Sequence, residues 1–321
     1  MKPDVRKLLC QLVKSRADST AQRYSKEILK FFRWYESFNC QSVSQFSTAV
    51  MLCYLSKVYD DSGSYSSLVL VHSALKWFLS FFPEISDNPL DSSVCHNLLD
   101  AARRCKPPVK KKTPISPDIV KEIIQSFGGP SANLKDLRLV CICCLGFMGF
   151  FRYDELIHIL PIHLSFESDF LKIFVPRAKN DVYREGNYVY IKRLGNEFCA
   201  VALLERYMHM AGIELNSDLP LFRSLRFMKS TNTYKLYGQH LSYTRCREIF
   251  KNCLRDLGYD PSLYGLHSLR SGGATAAVKH NQNLSERILK LHGRWKSDQA
   301  KDMYILEDVS KRLNISQNLG I

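Results

Sequence analysis

Two stretches near the end of the chain decide how the rest is read: GLHSLRSGGATAA, residues 265–277, and HGRWKSDQAKDMYI, residues 292–305. In the first, His267 and Arg270 stand three positions apart, so a helix through them turns both to one face. Gly265 just ahead allows close approach of the backbone, and the N-terminus of such a helix adds partial positive charge. In the second, Trp295 lies nine positions before Tyr304, with His292 as a competitor in the same HGRW segment. Taken singly, each has an ordinary explanation. An indole beside a helix is usually core, and Tyr304 is one of sixteen tyrosines. The informative feature is that they occur together.

Working outward, GFFRYDEL (149–156) carries Arg152 at the end of an apolar helix, with Glu155 three residues on; an arginine so placed can also do no more than pair with that acid. The segment AKNDVYREG (178–186) carries Lys179, twenty-seven residues after Arg152, and Lys172 on the preceding strand is its fallback. These residue types suit one chemistry. Guanidinium groups are permanently charged and bind two oxygens at once, which fits a negative phosphoryl transition state. A lysine ammonium or an imidazole can protonate a leaving oxygen. A tyrosine oxygen can hold a phosphate covalently.

Composition agrees with a polyanionic partner. Lys and Arg number 45 against 31 Asp and Glu, a formal charge of +14, with a sequence pI near 9.2. Neutralising phosphates releases counterions, so such an excess favours nucleic acid. No apolar run reaches the ~18 residues that span a bilayer, the longest candidate being Leu137 to Phe151. The first residues, MKPDVRKLLCQLVKSR, lack the apolar core of a secretion signal, so an intracellular protein without membrane contact is expected. The eleven cysteines are scattered and mostly among apolar residues. Cys141 and Cys144 form a C-x-x-C without a second pair, and buried free thiols are expected rather than a metal or redox site.

Two domains suit 321 residues. Residues 1–105 read as all helix, with helices from a Ser19 cap through TAQRYSKEILKFFRWYESF, over 44–58, over 65–82 and over 91–104. Their aromatic stripes read as core. A basic linker covers 106–114; the run RRCKPPVKKKTP holds six cations and no acid, and Pro107 and Pro108 forbid a continuous helix. Arg103, Arg104, Lys110, Lys111 and Lys112 are expected to lie along a polyanion, and Lys110–Lys112 also read as a nuclear import signal. Residues 115–321 form the second domain. There Ser116-Pro117-Asp118 caps a helix, and another runs from about Leu134 to Phe151. FLKIFVP (170–176) and NYVYIKR (187–193) make a hairpin with a long tip, followed by helices over 196–212, 239–257, 267–280, 284–292 and 297–306.

The second domain resembles the tyrosine recombinase (phage integrase) family, and is most similar to the eukaryotic branch carried by DIRS-like retrotransposons and Cryptons. GFFRYDEL, AKNDVYREG, GLHSLRSGGATAA and HGRWKSDQAKDMYI occur in the family's order and spacing. The resemblance implies a mainly α fold with a small antiparallel β-sheet, and a helical core-binding domain ahead of the catalytic one. The two would close around duplex DNA in a C shape. It implies Arg152 and Arg270 as phosphate-binding arginines, Glu155 as their support, and Lys179 as general acid. His267 handles protons, Trp295 donates to a phosphate oxygen with His292 in support, and Tyr304 is the nucleophile. Site-specific DNA cleavage and rejoining through a 3′-phosphotyrosine would follow, without metal, cofactor or small-molecule substrate. A homotetramer on two double-stranded DNA sites, in a mobile element working in the nucleus, is the assembly implied. Tyr153-Asp154 departs from the family's usual small polar pair, and the hairpin tip is acidic at Asp181 and Glu185. Two rivals remain: a type IB topoisomerase-like relaxing enzyme, and a domesticated DNA-binding protein that keeps the fold without cutting.

Overall fold

The protein is described by a computed structural model covering residues 11–37, 46–82, 84–108, 110–178, 181, 185–281, 283–306, 313 and 316–318. It divides into two compact units, Met1–Lys110 and Lys111–Ile321.

The first unit contains helices α1 (Asp18–Ser37), α2 (Thr48–Ser62), α3 (Tyr65–Leu79) and α4 (Ser93–Arg104). Ser19 lies inside α1 rather than capping it, because Asp18 already starts the helix and places its charge at the positive end. The helix expected from residue 44 begins at Thr48, where the Ser47 hydroxyl accepts from the Val50 amide at 3.3 Å. The aromatic stripes meet in the core as expected. Phe31 is fully buried and packs edge-on against Tyr54 at 5.1 Å, while Tyr24 and Trp77 lie 5.5 Å apart. Such aromatic pairs add specific geometry to the burial of apolar area.

The second unit opens with α5 (Pro117–Phe127), capped as expected by Ser116 with Pro117 in its first turn. Next comes α6 (Leu134–Met148), whose cysteines are core residues: Cys141, Cys143 and Cys144 are buried, and burial pushes the Cys144 thiol up to about 12. Among the described residues no His/Cys/Asp/Glu group is placed to hold a metal ion. The apolar stretch was expected to stay helical to Phe151. It stops at Met148 instead, because Gly149 closes the helix and Phe150 turns to a φ of 48°. That break frees Arg152 to begin the short helix α7 (Tyr153–Ile157).

Strands β1 (Leu164–Phe166), β2 (Phe170–Val175) and β3 (Asn187–Lys192) form an antiparallel sheet in that order. The expected hairpin is β2–β3: Leu171 opposite Ile191 and Ile173 opposite Val189 face the core, while Lys172 opposite Tyr190 faces out. At three residues, β1 is too short to declare a period. After α8 (Ala200–Ala211) comes a second hairpin, β4 (Arg223–Met228) with β5 (Thr233–His240). It was not anticipated, since its strands are largely exposed and show no clean apolar alternation. It takes up residues 239 and 240, so α9 (Tyr243–Asp256) begins later than expected, with Ser242 as its cap.

Helices α10 (Leu266–His280), α11 (Glu286–Gly293) and α12 (Asp298–Asp302) complete the chain. The Ser-Gly-Gly run lets α10 come unusually close to its neighbours. A Cβ on Gly272 would strike the Ile115 backbone, and one on Gly273 the Phe147 carbonyl. Ile115 donates its amide to Ser268 O at 3.0 Å, sealing the same seam. Mainly α with small antiparallel sheets is thus the architecture observed, as expected. We predict that Gly273→Ala costs about 1–3 kcal/mol, because the group that must yield is backbone; urea unfolding measures it, and Gly129→Ala, where a Cβ meets nothing, serves as control.

Candidate active site

The break after α6 places one carboxylate among three guanidinium groups. Glu155, 1% exposed, pairs with Arg152 Nη1 at 2.6 Å, with Arg294 Nη2 at 2.7 Å and with Arg270 Nη1 at 3.6 Å. It also accepts the Arg152 backbone amide at 3.0 Å, the back-reaching half of a capping box on α7. Burial alone would raise its pKa, but Arg294, Arg270, Arg152 and that amide outweigh the effect and hold the carboxyl below its ordinary value. Three cations around one anion leave a local excess of two positive charges.

The donor inventory separates the three arginines. Each guanidinium offers five N–H groups. Arg294 gives its Nη1 to Gly149 O at 3.1 Å and His292 O at 2.8 Å, and its Nη2 to Phe150 O at 2.9 Å and to Glu155. Arg270, with no exposed surface, donates to the carbonyls of Phe150 and Gly293. Arg152 pairs with Glu155, and its pKa is raised: burial pulls it down, but Glu155 and then Tyr304 outweigh this through charge and hydrogen bonding. Arg152 and Arg270 therefore keep donors for a further anion, whereas Arg294 has committed most of its own to the protein. Burial beside Arg152 lowers Arg270 to about 9, so it stays charged at neutral pH.

Tyr304 lies against this cluster. Its ring is 4.9 Å from the Arg270 guanidinium and 5.5 Å from the Trp295 ring, and Trp295 in turn is 4.8 Å from Arg270. A small apolar group of Phe150, Ala274, Leu289 and Trp295 seats Tyr304 and Ile305. Lys301, buried, bonds Glu286, while Lys290 holds Asp298 at 3.1 Å, so α12 is tied to α11 just before the tyrosine. The Thr275 hydroxyl donates to Tyr304 O at 3.4 Å and accepts the Leu306 amide at 3.0 Å. Among the described residues, the buried Trp295 Nε1, Arg270 Nε and Arg294 Nε find no hydrogen-bond partner. Those of Trp295 and Arg270 lie beside Tyr304, and orphaned donors so placed are the feature an anionic ligand would satisfy.

Arg152, Glu155, Arg270, Trp295 and Tyr304 are therefore brought together. His267 stands one turn before Arg270 on the first turn of α10, exposed. His292 lies behind the cluster, its Nε2 2.7 Å from Met148 O, and burial lowers its pKa. Lys179 lies outside the described residues. Lys172 is engaged elsewhere, 4.2 Å above the Tyr188 ring. Lys112 bonds Ser262 O at 2.5 Å and lies beside Gly265 at the start of α10. Lys110 and Lys111 are exposed, as are Arg103 and Arg104 at the end of α4. Asp181, at the acidic tip, is turned inward, its carboxylate accepting the amides of Glu185 and Gly186.

Sequence reasoning missed Arg294. Its neighbours in HGRW carried the attention, and an arginine at a φ of 56°, where glycine is usual, has no period to betray it.

No family model matches the chain. It is 26% identical over 297 residues to an integrase/recombinase XerD homolog of Selenomonas ruminantium, covering 92% of this chain and 83% of that protein. Among solved structures it is similar to XerH site-specific recombinase in a post-cleavage complex with difH substrate, with a TM-score of 0.63, 16% identity, and 93% and 79% of the two chains covered. It is similar also to the Tn1549 transposon integrase in complex with circular intermediate DNA (TM-score 0.55, 15%, 92% and 98%). A lambda integrase dimer on a core site gives a TM-score of 0.56 at 16% identity, with 90% and 89% covered. The fold is that of the tyrosine recombinases. The match to the XerD homolog spans both units.

The shared carboxylate yields a pH test. Because the folded Glu155 pKa lies below the unfolded value near 4.5, its contribution is complete above that value and fades as pH falls through the folded one. We predict that Glu155→Gln costs about 3–5 kcal/mol at neutral pH, as removal of one partner from a buried ion cluster does. In urea unfolding the gap from wild type narrows on acidification below the unfolded value; a gap constant down to pH ~3 would speak against the assignment.

Proposed function

We propose that this protein is a site-specific DNA recombinase that cleaves and rejoins DNA through a covalent bond between Tyr304 and a 3′-phosphate. The observation that carries the proposal is the stacking of Tyr304 over Arg270 beside Arg152 and Trp295, within a cluster of net positive charge. The phenol oxygen attacks phosphorus and loses its proton as the P–O5′ bond breaks. Arg152 and Arg270 hold the non-bridging oxygens, and the Trp295 N–H supplies a further donor. Lys179 protonates the departing 5′-oxygen and His267 handles the phenol proton. A 5′-hydroxyl then attacks the phosphotyrosine and restores the diester, so no bond energy is lost and no external energy source is needed. Glu155 and Arg294 do not touch DNA in this scheme; they position the two phosphate-binding arginines.

The finer parts of the reading belong to the same proposal: a DIRS-like or Crypton mobile-element origin, supported by the GRWKSDQAKDMYI pattern, and a tetramer on two double-stranded DNA sites. Nuclear import through Lys110–Lys112 belongs to it too, with these lysines, Arg103 and Arg104 lying along the DNA backbone.

A nicked suicide duplex, whose released fragment diffuses away, traps the intermediate. Wild type is expected to give a covalent protein–DNA adduct, Tyr304→Phe none, and Arg270→Ala a rate lower by about 10²–10³ or more. A folded wild type that binds duplex DNA yet never forms the adduct would identify a non-cutting binder instead. Lys179→Ala is expected to slow cleavage by about 10²–10⁴. A substrate with sulfur in the bridging 5′ position restores most of that rate, because a thiolate leaves without a proton. Equal losses on both substrates would remove Lys179 from the acid role.

A further inference from the structure

The β4–β5 hairpin has no part in the chemistry above, yet its composition is unusual. Between Asp218 and Glu248 the chain carries Arg223, Arg226, Lys229, Lys235, Arg245 and Arg247, and no acid at all. The hairpin's two faces differ. Leu225 and Tyr234 pack against the core of the second unit. The opposite face carries Arg226, Lys235 and Tyr237, all exposed. Arg226 stands directly opposite Lys235 in the strand register. Like charges placed across a strand pair repel, and among the described residues no carboxylate forms an ion pair with Arg226, Lys229 or Lys235. Arg226 is also held in place, its guanidinium 4.1 Å over the Tyr237 ring, so it is presented rather than free to sweep solvent.

The root of the hairpin is wired to the candidate active site. Arg138 Nη1 bonds Arg223 O at 2.6 Å at the start of β4. Past the end of β5, the Tyr153 hydroxyl donates to Leu241 O, and its ring meets Tyr243 edge-on at 5.1 Å. Tyr153 directly follows Arg152 in the chain. A pair of cations in an acid-free stretch, without a carboxylate ion pair among the described residues, stands on a hairpin whose base is tied to the residue beside a phosphate-binding arginine; this matches a regular array of phosphates better than a protein surface of mixed sign.

We propose that the Arg226–Lys235 face of the hairpin is a second DNA contact, gripping the phosphate backbone of the duplex that flanks the reacting phosphate. The proposal rests on the recombinase reading for the position of the DNA, but it is tested separately. It is a backbone contact, so it adds affinity without reading sequence.

The test is salt-dependent binding of a mixed-sequence duplex by fluorescence anisotropy, comparing wild type with the double variants R226A/K235A and R226Q/K235Q. Each lost phosphate contact lowers the log K against log salt slope by about 0.9, so either pair is expected to lower it by roughly 2 and to weaken binding equally across sequences. Both variants should unfold at the wild-type midpoint or above it, because a repulsive pair has been removed; the Gln pair preserves the test if the Ala pair misfolds. A wild-type slope in folded variants overturns the proposal. So does a variant that keeps the slope but loses self-association, which would assign the face to a protein contact. The adduct assay separates the two readings. Adduct formation by wild type with unchanged slopes in the variants removes the hairpin contact alone. A reduced slope in the variants, with no adduct from wild type, keeps the hairpin contact and removes the chemistry.

Discussion

Arg152, Arg270 and Arg294 converge on the single carboxylate of Glu155 in a place almost wholly closed to solvent. Burying charge is costly, and an ion cluster survives inside a protein only when geometry and hydrogen bonds compensate each member. Here the compensation comes from the backbone. The chain leaves α6 at Gly149 and Phe150 and exposes the carbonyls of both residues. Arg270 and Arg294 bond to those same carbonyls. A helix continued to Phe151 would have pointed them along its own axis, so the interruption is what turns them toward the two arginines.

The glycines and the tyrosine follow from that demand. Arg270 can reach Phe150 only if α10 lies nearly against the end of α6, and Gly273 removes the side chain that would hold it off, as Gly272 does where α10 meets Ile115. Arg294 can turn back into the cluster only from a left-handed backbone. The neighbouring Trp295 then falls beside Arg270, and the Tyr304 ring lies against both the indole and the guanidinium. With one acid among three bases, the assembly is electrostatically unfinished. That incompleteness, together with donors that have no protein partner, is what a phosphate diester would complete.

The reach of the surrounding fold is also set here. Tyr153, the first residue of α7, ties the cluster to the base of the β4–β5 hairpin. Lys112, bonded to Ser262, brings the basic run that starts the second unit beside the first turn of α10. Cations far apart in the chain are thus attached to one scaffold within the second unit, an arrangement that composition by itself does not carry.

Much of this was legible in one dimension. Helical periodicity exposed most helices, and alternation of apolar residues exposed β2 and β3, since burial on one face imposes a period. The residue types of His267, Arg270, Trp295 and Tyr304 suited phosphoryl chemistry because few side chains can do it, while their spacing gained meaning only through the family resemblance. What the chain order could not reveal is of a different kind. The β4–β5 hairpin half-buries only a few residues of one face, so burial writes too weak a pattern into it. The end of α6 depends on where carbonyls are needed by arginines more than a hundred residues later. The role of Arg294 exists only once three distant segments meet at one carboxylate. Local periodicity records what each segment buries, whereas the sharing of a single buried charge is decided by the tertiary structure, because it depends on distances between atoms remote in the chain.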